Sequence, residues 1–521
     1  MKDSILKQRN LALTQLSETP LDLLVIGGGI VGAGIARDAS MRGLKTALVE
    51  QHDFAFGTSS RSTRLLHGGI RYLAQGRIGL VREASIEKGV LQRIAPHLAK
   101  PLAFVFPIYP GADWPLWQMR LGVKFYDLLC GGRNLGKSSS LSKEQCLQTV
   151  PHLRREDLSG AVRYFDGFTN DARLVIDTLR SASAHGAKLL NYVKFEGAHR
   201  DRDVWHCGVK DQLTARSFVC QARAVVNATG PWAPGVPHGK IQLRLTKGVH
   251  LVVDHARLPM TDAVVLTAGK RILFAIPWGK CVILGTTDTD YSGSLDDVQP
   301  SPEDVSYVLK TVNEFFPAAR ITGSDIISSW AGLRPLIANS NGSASDISRA
   351  HQIRSPEPGW WDVAGGKLTT YRLIAEQTVD RIAAAQKWRL PKCLTAAEPL
   401  LRQEETDLVS GILPPVFDRN TMAHCCTREW ALHLDDVMTR RTSWRYYYPD
   451  ASEKAVQVAH WMGEFLGWSK AGVESELRRY RGAPGPTPSP NRRSPGVIVR
   501  EVAPTQASGR QGHTGGVQIS F

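Results

Sequence analysis

Residues 21–50 read LDLLVIGGGIVGAGIARDASMRGLKTALVE. The apolar run Leu21 to Ile26 stops at three glycines, as a strand buried on both faces does. A helical stretch follows from Gly34 to Arg42, and a second apolar run, Lys45 to Glu50, completes a βαβ unit of about 30 residues. Gly27, Gly29 and Gly32 keep the spacing G-x-G-x-x-G. Glycine there permits a tight turn and lets the backbone approach a pyrophosphate at the helix N-terminus, where unpaired N–H groups and the helix dipole favour anions. Glu50 ends the second strand, 21 residues beyond Gly29, where its carboxylate can accept from a ribose hydroxyl. An ordinary glycine-rich turn has no need of an acid at that point. The unit predicts a dinucleotide-binding α/β domain with a parallel sheet.

That motif serves FAD and NAD alike. Two later glycine-rich loops bear on the choice. AVVNATG (224–230) is another apolar strand ending in glycine and offers Ala228 and Gly230; VAGGKLTTYR (363–372) offers Gly365, Gly366, Lys367, Leu368 and Thr369. Three such loops spread over about 340 residues suit the long flavin dinucleotide better than NAD.

Between them the texture changes. HLVVD, AVVLT, RILFAIPW and CVILGTTD (within 250–288) are short apolar runs at hairpin-like spacing, which predicts a second, largely antiparallel sheet. Residues 302–316 and 373–388 have helical periodicity. The fold expected is therefore α/β: a Rossmann-like FAD-binding domain (segments about 21–100, 155–240 and 355–388) interleaved with an antiparallel-sheet substrate domain. A helical C-terminal domain, 389–480, follows. Within it 428–441 reads as one helix, with Trp430, Leu434, Val437 and Arg441 on one face. Residues 1–20 read as a polar, partly helical leader, and the Pro-, Gly- and Ser-rich 481–521 as a disordered tail.

With 521 residues, 42% hydrophobic and 22% charged, the chain has the composition of a soluble globular protein. It has no run of 18 apolar residues and no secretory h-region, so neither a membrane span nor export is expected. Its eight scattered cysteines have no CxxC pair and read as reduced thiols. No metal is expected. Asp288 to Gly293 opens like a calcium loop, but Gln299 stands where the bidentate glutamate belongs, and His424-Cys425-Cys426 lacks a second ligand pair. The net charge is +15, of which the tail supplies four, leaving about +11. Without a Lys/Arg run interleaved with aromatics, nucleic acid is not the expected partner; an anionic membrane surface or a phosphorylated small molecule fits better.

One stretch, SSRSTRLLHGGIRYL (59–73), holds three arginines, a histidine and a Gly-Gly pair. The hydroxyls of Thr58, Ser59 and Ser60 follow Glu50 closely and can donate to a pyrophosphate or ribityl chain.

IGGGIVGAGIARDAS, TSSRSTRLLHGGIRYL, VNATGPW, LGTTDTDY, WAGLRPL and GGKLTTYR stand in this order and spacing. In them the chain resembles the FAD-dependent glycerol-3-phosphate dehydrogenases, within the wider glycine-oxidase and D-amino-acid-oxidase superfamily. The likeness runs from about residue 20 to about 480, and EWALHLDDVMTRRTSWRY resembles that family's C-terminal helical domain. The resemblance implies oxidation of sn-glycerol 3-phosphate to dihydroxyacetone phosphate on FAD, with electrons passed to a membrane quinone and the enzyme peripheral on the cytoplasmic face. A homodimer is among the expected assemblies. Arg334 and Arg349 match arginines that hold the phosphate; Arg71 and Tyr72 match the substrate pocket; Thr287 and Asp288 match a strand end near flavin and substrate. His67 takes the hydroxyl proton, orients the flavin or caps a turn, an unperturbed imidazole titrating near working pH; Gly68 beside it belongs to the cofactor site. Lys367 is placed to offset negative charge at the flavin N1/C2 edge. Arg334 paired with a nearby carboxylate, oxygen as the acceptor, and a non-catalytic FAD-binding protein are the competing readings.

Overall fold

A computed structural model describes residues 2–69, 76–111, 114–129, 135–268, 271–338, 351–406 and 408–482. Arg71, Tyr72, Arg349 and the Pro-rich tail after residue 482 lie outside these described residues.

The first apolar run becomes the centre of a sheet. Leu21–Ile26 pairs in parallel with Thr46–Val49 on one side and Ser217–Asn227 on the other. Lys188–Leu190 and Trp360–Gly365 extend it in parallel, and His351–Glu357 closes one edge antiparallel. Helices Ile30–Met41, Asp171–Ala184 and Tyr371–Gln386 cover one face, burying Leu23, Val25 and Ile35 among others completely. The opposite face carries the hairpin Val193–Asp201/Val204–Asp211 and a second core around Trp205 and Trp360. A strand sandwiched this way is mostly apolar, which is why LDLLVI and AVVN were legible.

The polar segment 1–20 forms a helix that packs on the first sheet. Helix Lys2–Glu18 docks on this sheet, with Leu16 fully buried and Arg9 bonded to Asp211 at 2.8 Å.

The second sheet is antiparallel except where Ala263–Ala268 meets Lys100–Ile108. Its long strand Leu243–Asp254 pairs with Cys281–Gly285, Thr289–Asp290 and Ile326–Ile337. Arg271–Trp278 joins Cys281–Gly285 to Ala263–Ala268; Gly160–Phe168 and the short Leu65–Leu66 complete the far side. The chain thus crosses between sheets several times, and the site lies where the two meet.

The C-terminal helices Arg419–Arg428, Ala451–Leu466 and Lys470–Gly482 share their own core. The single helix expected over 428–441 is not formed. Helix 419–428 stops, Trp430 takes a left-handed φ of 57°, and a π-turn spans Asp436–Arg441. Tertiary charge pairing overrides the local helical pattern. The buried Glu429 carboxylate grips Arg173 at 2.7 Å through both oxygens. Arg440 and Arg441 both reach Asp53, three residues past Glu50. The domain thereby braces the loop beside the first sheet's glycine turn.

Candidate functional site

Gly27 leaves the first strand at φ +108°, a conformation costly for any side chain. A Cβ there would stand 2.7 Å from the Ala228 carbonyl oxygen, and one at Gly32 would stand 2.0 Å from the Gly27 oxygen. These two glycines seat the turn and its helix. A Cβ at Gly29 would meet only the Ser59 hydroxyl, at 3.2 Å, so that position keeps open the approach to the cleft. The helix starts at Ile30, four residues before the sequence pattern suggested, and the Ser59 hydroxyl accepts the Ile30 N–H at 3.0 Å.

Glu50 is partly buried at the cleft wall. One carboxylate oxygen accepts the Gly28 N–H and the other the His52 N–H, both at 2.8 Å. Burial pushes this carboxyl up to about 7, the two N–H donors offsetting only part of the desolvation.

A cleft of about 770 Å³ joins this turn to the second sheet. Gly27, Gly29, Glu50, Thr58, Ser59 and His67 line it; so do Ala228 and Gly230 from the second loop, and Gly365 to Thr369 from the third. Arg334 and Asp288 line it from the antiparallel side. The three glycine loops, spread over about 340 residues of sequence, therefore share one cavity of the size small-molecule sites have. An open glycine at a helix N-terminus, an acid on the cleft wall beside it and a cavity continuing past both fit a flavin dinucleotide.

Other predicted residues sit differently. Gly32 and Ser60 do not reach the cleft. Gly68 is buried behind it, where a Cβ would lie 2.3 Å from the Tyr126 hydroxyl. Thr58 lines the cavity but donates to the Leu333 carbonyl at 2.6 Å, which ties the FAD turn to the second sheet. Thr287 is buried; its hydroxyl accepts the Val249 N–H at 3.0 Å, and Thr286 faces the cleft instead. Both stand in the connection between strands Cys281–Gly285 and Thr289–Asp290, and the bond from Val249 turns Thr287 away from the cleft.

Arg334 donates to the Thr286 hydroxyl at 3.0 Å and the Thr287 carbonyl at 3.2 Å, and pairs with Asp288 at 3.3 Å. The carboxylate partner weighed from sequence is thus present, and Asp288 orients the guanidinium. At about one-fifth exposure, Arg334 keeps a face on the cavity.

His250 was missed by sequence reasoning. It is almost fully buried on the cleft wall, stacked on Trp330 at 5.2 Å and bonded to Thr63 at 2.9 Å. Burial drives its imidazole well below the usual histidine range, and Arg334 and Arg64 push it further down, so it is neutral. In sequence it is one polar residue in an apolar strand, with no flanking motif. Arg61 also lines the cleft, whereas Arg64 is buried over the Trp278 ring at 4.4 Å. Among the described residues no group of three or more His, Cys, Asp or Glu is arranged to hold a metal ion.

A doubly covered parallel sheet, opened by a glycine turn onto a cavity whose far wall is an antiparallel sheet, defines a flavin-dependent oxidoreductase, and FAD is its cofactor. Residues 22–381 match the family described as FAD dependent oxidoreductase, and residues 414–473 match the C-terminal domain of alpha-glycerophosphate oxidase. The chain is 41% identical over 379 residues to an aerobic glycerol-3-phosphate dehydrogenase of Staphylococcus aureus, covering 70% of this chain and 67% of that one. The glycerol-3-phosphate dehydrogenase of Bacillus halodurans, solved with FAD, superposes with a TM-score of 0.73 at 30% identity, over 91% of this chain and 96% of the other. L-alpha-glycerophosphate oxidase of Mycoplasma pneumoniae shares the fold, with a TM-score of 0.58 at 17% identity over 72% of this chain and 96% of the other. The chain belongs to the FAD-dependent oxidoreductases and, within them, to the aerobic glycerol-3-phosphate dehydrogenase family.

Proposed function

We propose that this chain oxidises sn-glycerol 3-phosphate to dihydroxyacetone phosphate on FAD and passes the electrons to a membrane quinone. The observation that carries the reading is Arg334: a fixed cation on the antiparallel wall of the cavity that the three glycine loops share. A phosphate dianion calls for a planar donor that cannot lose its charge, and arginine meets that need. Arg349 and Arg71, with Tyr72, complete the anion pocket in this reading. Bound FAD supplies the two-electron acceptor for the substrate's C2. His67, which lines the same cavity, takes the hydroxyl proton; His250, neutral and packed on Trp330, orients the substrate beside it. Lys367, on the third glycine loop lining the cavity, would supply positive charge to offset the negative charge of a reduced flavin.

Anaerobic addition of glycerol 3-phosphate to the FAD-loaded protein should bleach the flavin absorbance, and an unchanged spectrum would refute the reading. Quinone reduction against peroxide yield then separates a dehydrogenase from an oxidase.

For the peripheral site on the membrane's inner face, the support is helix Leu116–Leu129. It exposes Trp117, Leu121, Phe125 and Leu128 alongside the basic Arg120 and Lys124, the pattern of an interfacial helix. No helix among the described residues is long and apolar enough to cross a membrane. Sedimentation with anionic vesicles at low salt should carry the protein down; protein left in the supernatant would count against this placement.

A further inference from the structure

We propose that Asp166 is a positioning residue for the reaction: its buried carboxylate sets the backbone of the turn His67–Gly69, and so where the His67 imidazole stands. The inference rests on the reading of His67 given above.

The turn leaves the short strand Leu65–Leu66, which pairs antiparallel with Phe168 and Gly167. Continued by one step, that ladder would set Asp166 opposite His67. The ladder stops there, and a side chain replaces it: Asp166 Oδ1 accepts the Gly68 N–H at 3.3 Å. A buried N–H needs an acceptor, and here it takes one that a rigid strand holds. Gly160–Phe168 is itself locked on its other side to Lys100–Ile108 along its whole length.

Two further donors converge on the same oxygen. Lys88 reaches it at 2.8 Å and the Tyr126 hydroxyl at 2.7 Å. Lys88, Tyr126 and Asp166 are all at least 95% buried, yet Asp166 still borders the cleft. A buried lysine is costly unless paired, so Lys88 and Asp166 hold each other in place. Three elements far apart in sequence thus meet at one carboxylate oxygen: helix Ile78–Ile94, helix Leu116–Leu129 and strand Gly160–Phe168.

The fit on Gly68 is close. A Cβ there would stand 2.3 Å from the Tyr126 hydroxyl and 2.8 Å from that of Ser85. The turn cannot slide toward the cluster, and the Gly68 N–H bond keeps it from sliding away. From the other side, the Thr369 hydroxyl donates to the His67 carbonyl at 3.3 Å. His67 is therefore clamped through its backbone between Asp166 and the third glycine loop. Nothing in the motif HGGIRYL reveals this, because the clamp comes from residues about 20 to 300 positions downstream.

The test is stopped-flow anaerobic flavin reduction in the FAD-loaded protein, measured against glycerol 3-phosphate concentration. Asp166→Asn should lower the limiting reduction rate by about 10- to 100-fold, the scale on which displacement of a reacting group by about 1 Å is felt. The half-saturating substrate concentration should change less than about threefold, since the phosphate contacts are untouched. Lys88→Met/Asp166→Asn removes the stranded lysine charge and should fold and bind FAD with the same low rate. Gly68→Ala should also be slow, and Gly68→Ala/Tyr126→Phe, which deletes the nearest clashing atom, should regain part of the rate. A folded, FAD-loaded Asp166→Asn or double variant that reduces within twofold of wild type overturns the proposal, as does a Gly68→Ala with unimpaired rate. A wild-type protein that glycerol 3-phosphate does not bleach would instead overturn the functional reading itself.

Discussion

Glu50 gives the sharpest quantitative expectation. Its two carboxylate oxygens are already committed to the Gly28 and His52 N–H groups at 2.8 Å, and burial raises the carboxyl to about 7. A ribose diol donates to the ionised form, so FAD binding must first remove the proton. At pH 8 that costs almost nothing; at pH 6, one unit below the raised value, it costs about 1.4 kcal/mol. FAD affinity should thus fall about tenfold from pH 8 to pH 6. Folding of the FAD-free protein carries the opposite sign. The folded pKa is raised, so Glu50's contribution to stability is full below its unfolded pKa and is lost as pH rises through about 7. Glu50→Gln should abolish the pH slope. It should also weaken binding by about 1–3 kcal/mol at pH 8, because the amide nitrogen must face one of the two backbone N–H groups. Titrating FAD into apoprotein by flavin fluorescence quenching at pH 6, 7 and 8 measures both effects. A slope that is flat in wild type, or that survives in Glu50→Gln, would refute the argument.

Other expectations follow from the same geometry. Arg334→Ala should reduce kcat/KM by about 100-fold, about 3 kcal/mol, since two charge-assisted bonds to phosphate are lost while the pairing with Asp288 offsets part of that in the free enzyme; steady-state kinetics at low substrate decides it. His67→Gln should depress the limiting rate of flavin reduction far more than His250→Gln, whose effect should fall mainly on half-saturation; equal rate losses would reverse the roles assigned to the two imidazoles. Asp53→Asn should destabilise the protein by about 3–5 kcal/mol, read as a lowered Tm, because Arg440 and Arg441 are left buried without their shared carboxylate. Burial alone would raise Asp53, Glu429 and Asp435, but their arginine partners outweigh it and hold all three low, Asp435 at about 2. Their stabilising contribution is therefore present above the ordinary carboxylate range and is lost as pH falls through their depressed values. Acid should release the C-terminal helices before the two sheets unfold, visible by near-UV circular dichroism of its tryptophans.

The sequence by itself determined the parallel sheet, the glycine turn and the acid at its strand end. Each is a local contract between neighbouring residues: a doubly buried strand must be apolar, a tight turn must be glycine, and a ribose acceptor must follow at a set distance. The antiparallel sheet was legible for the same reason, through short apolar runs at hairpin spacing. Long-range pairing decided the rest. The 428–441 segment has a helical pattern, yet Asp53 and Arg173 break it from more than 250 residues away. Thr287 and Thr286 are interchangeable in sequence, and only their tertiary partners separate them: the Val249 N–H holds Thr287 in the interior, and Arg334 holds Thr286 at the cleft. His250 carries no motif, and its neutrality arises from Trp330, Arg334 and Arg64 closing around it. The Asp166 clamp under His67 exists only once three distant elements meet at one oxygen. Chemistry that depends on desolvation and convergent charge is a property of the packed interior, and no local window of the chain encodes it.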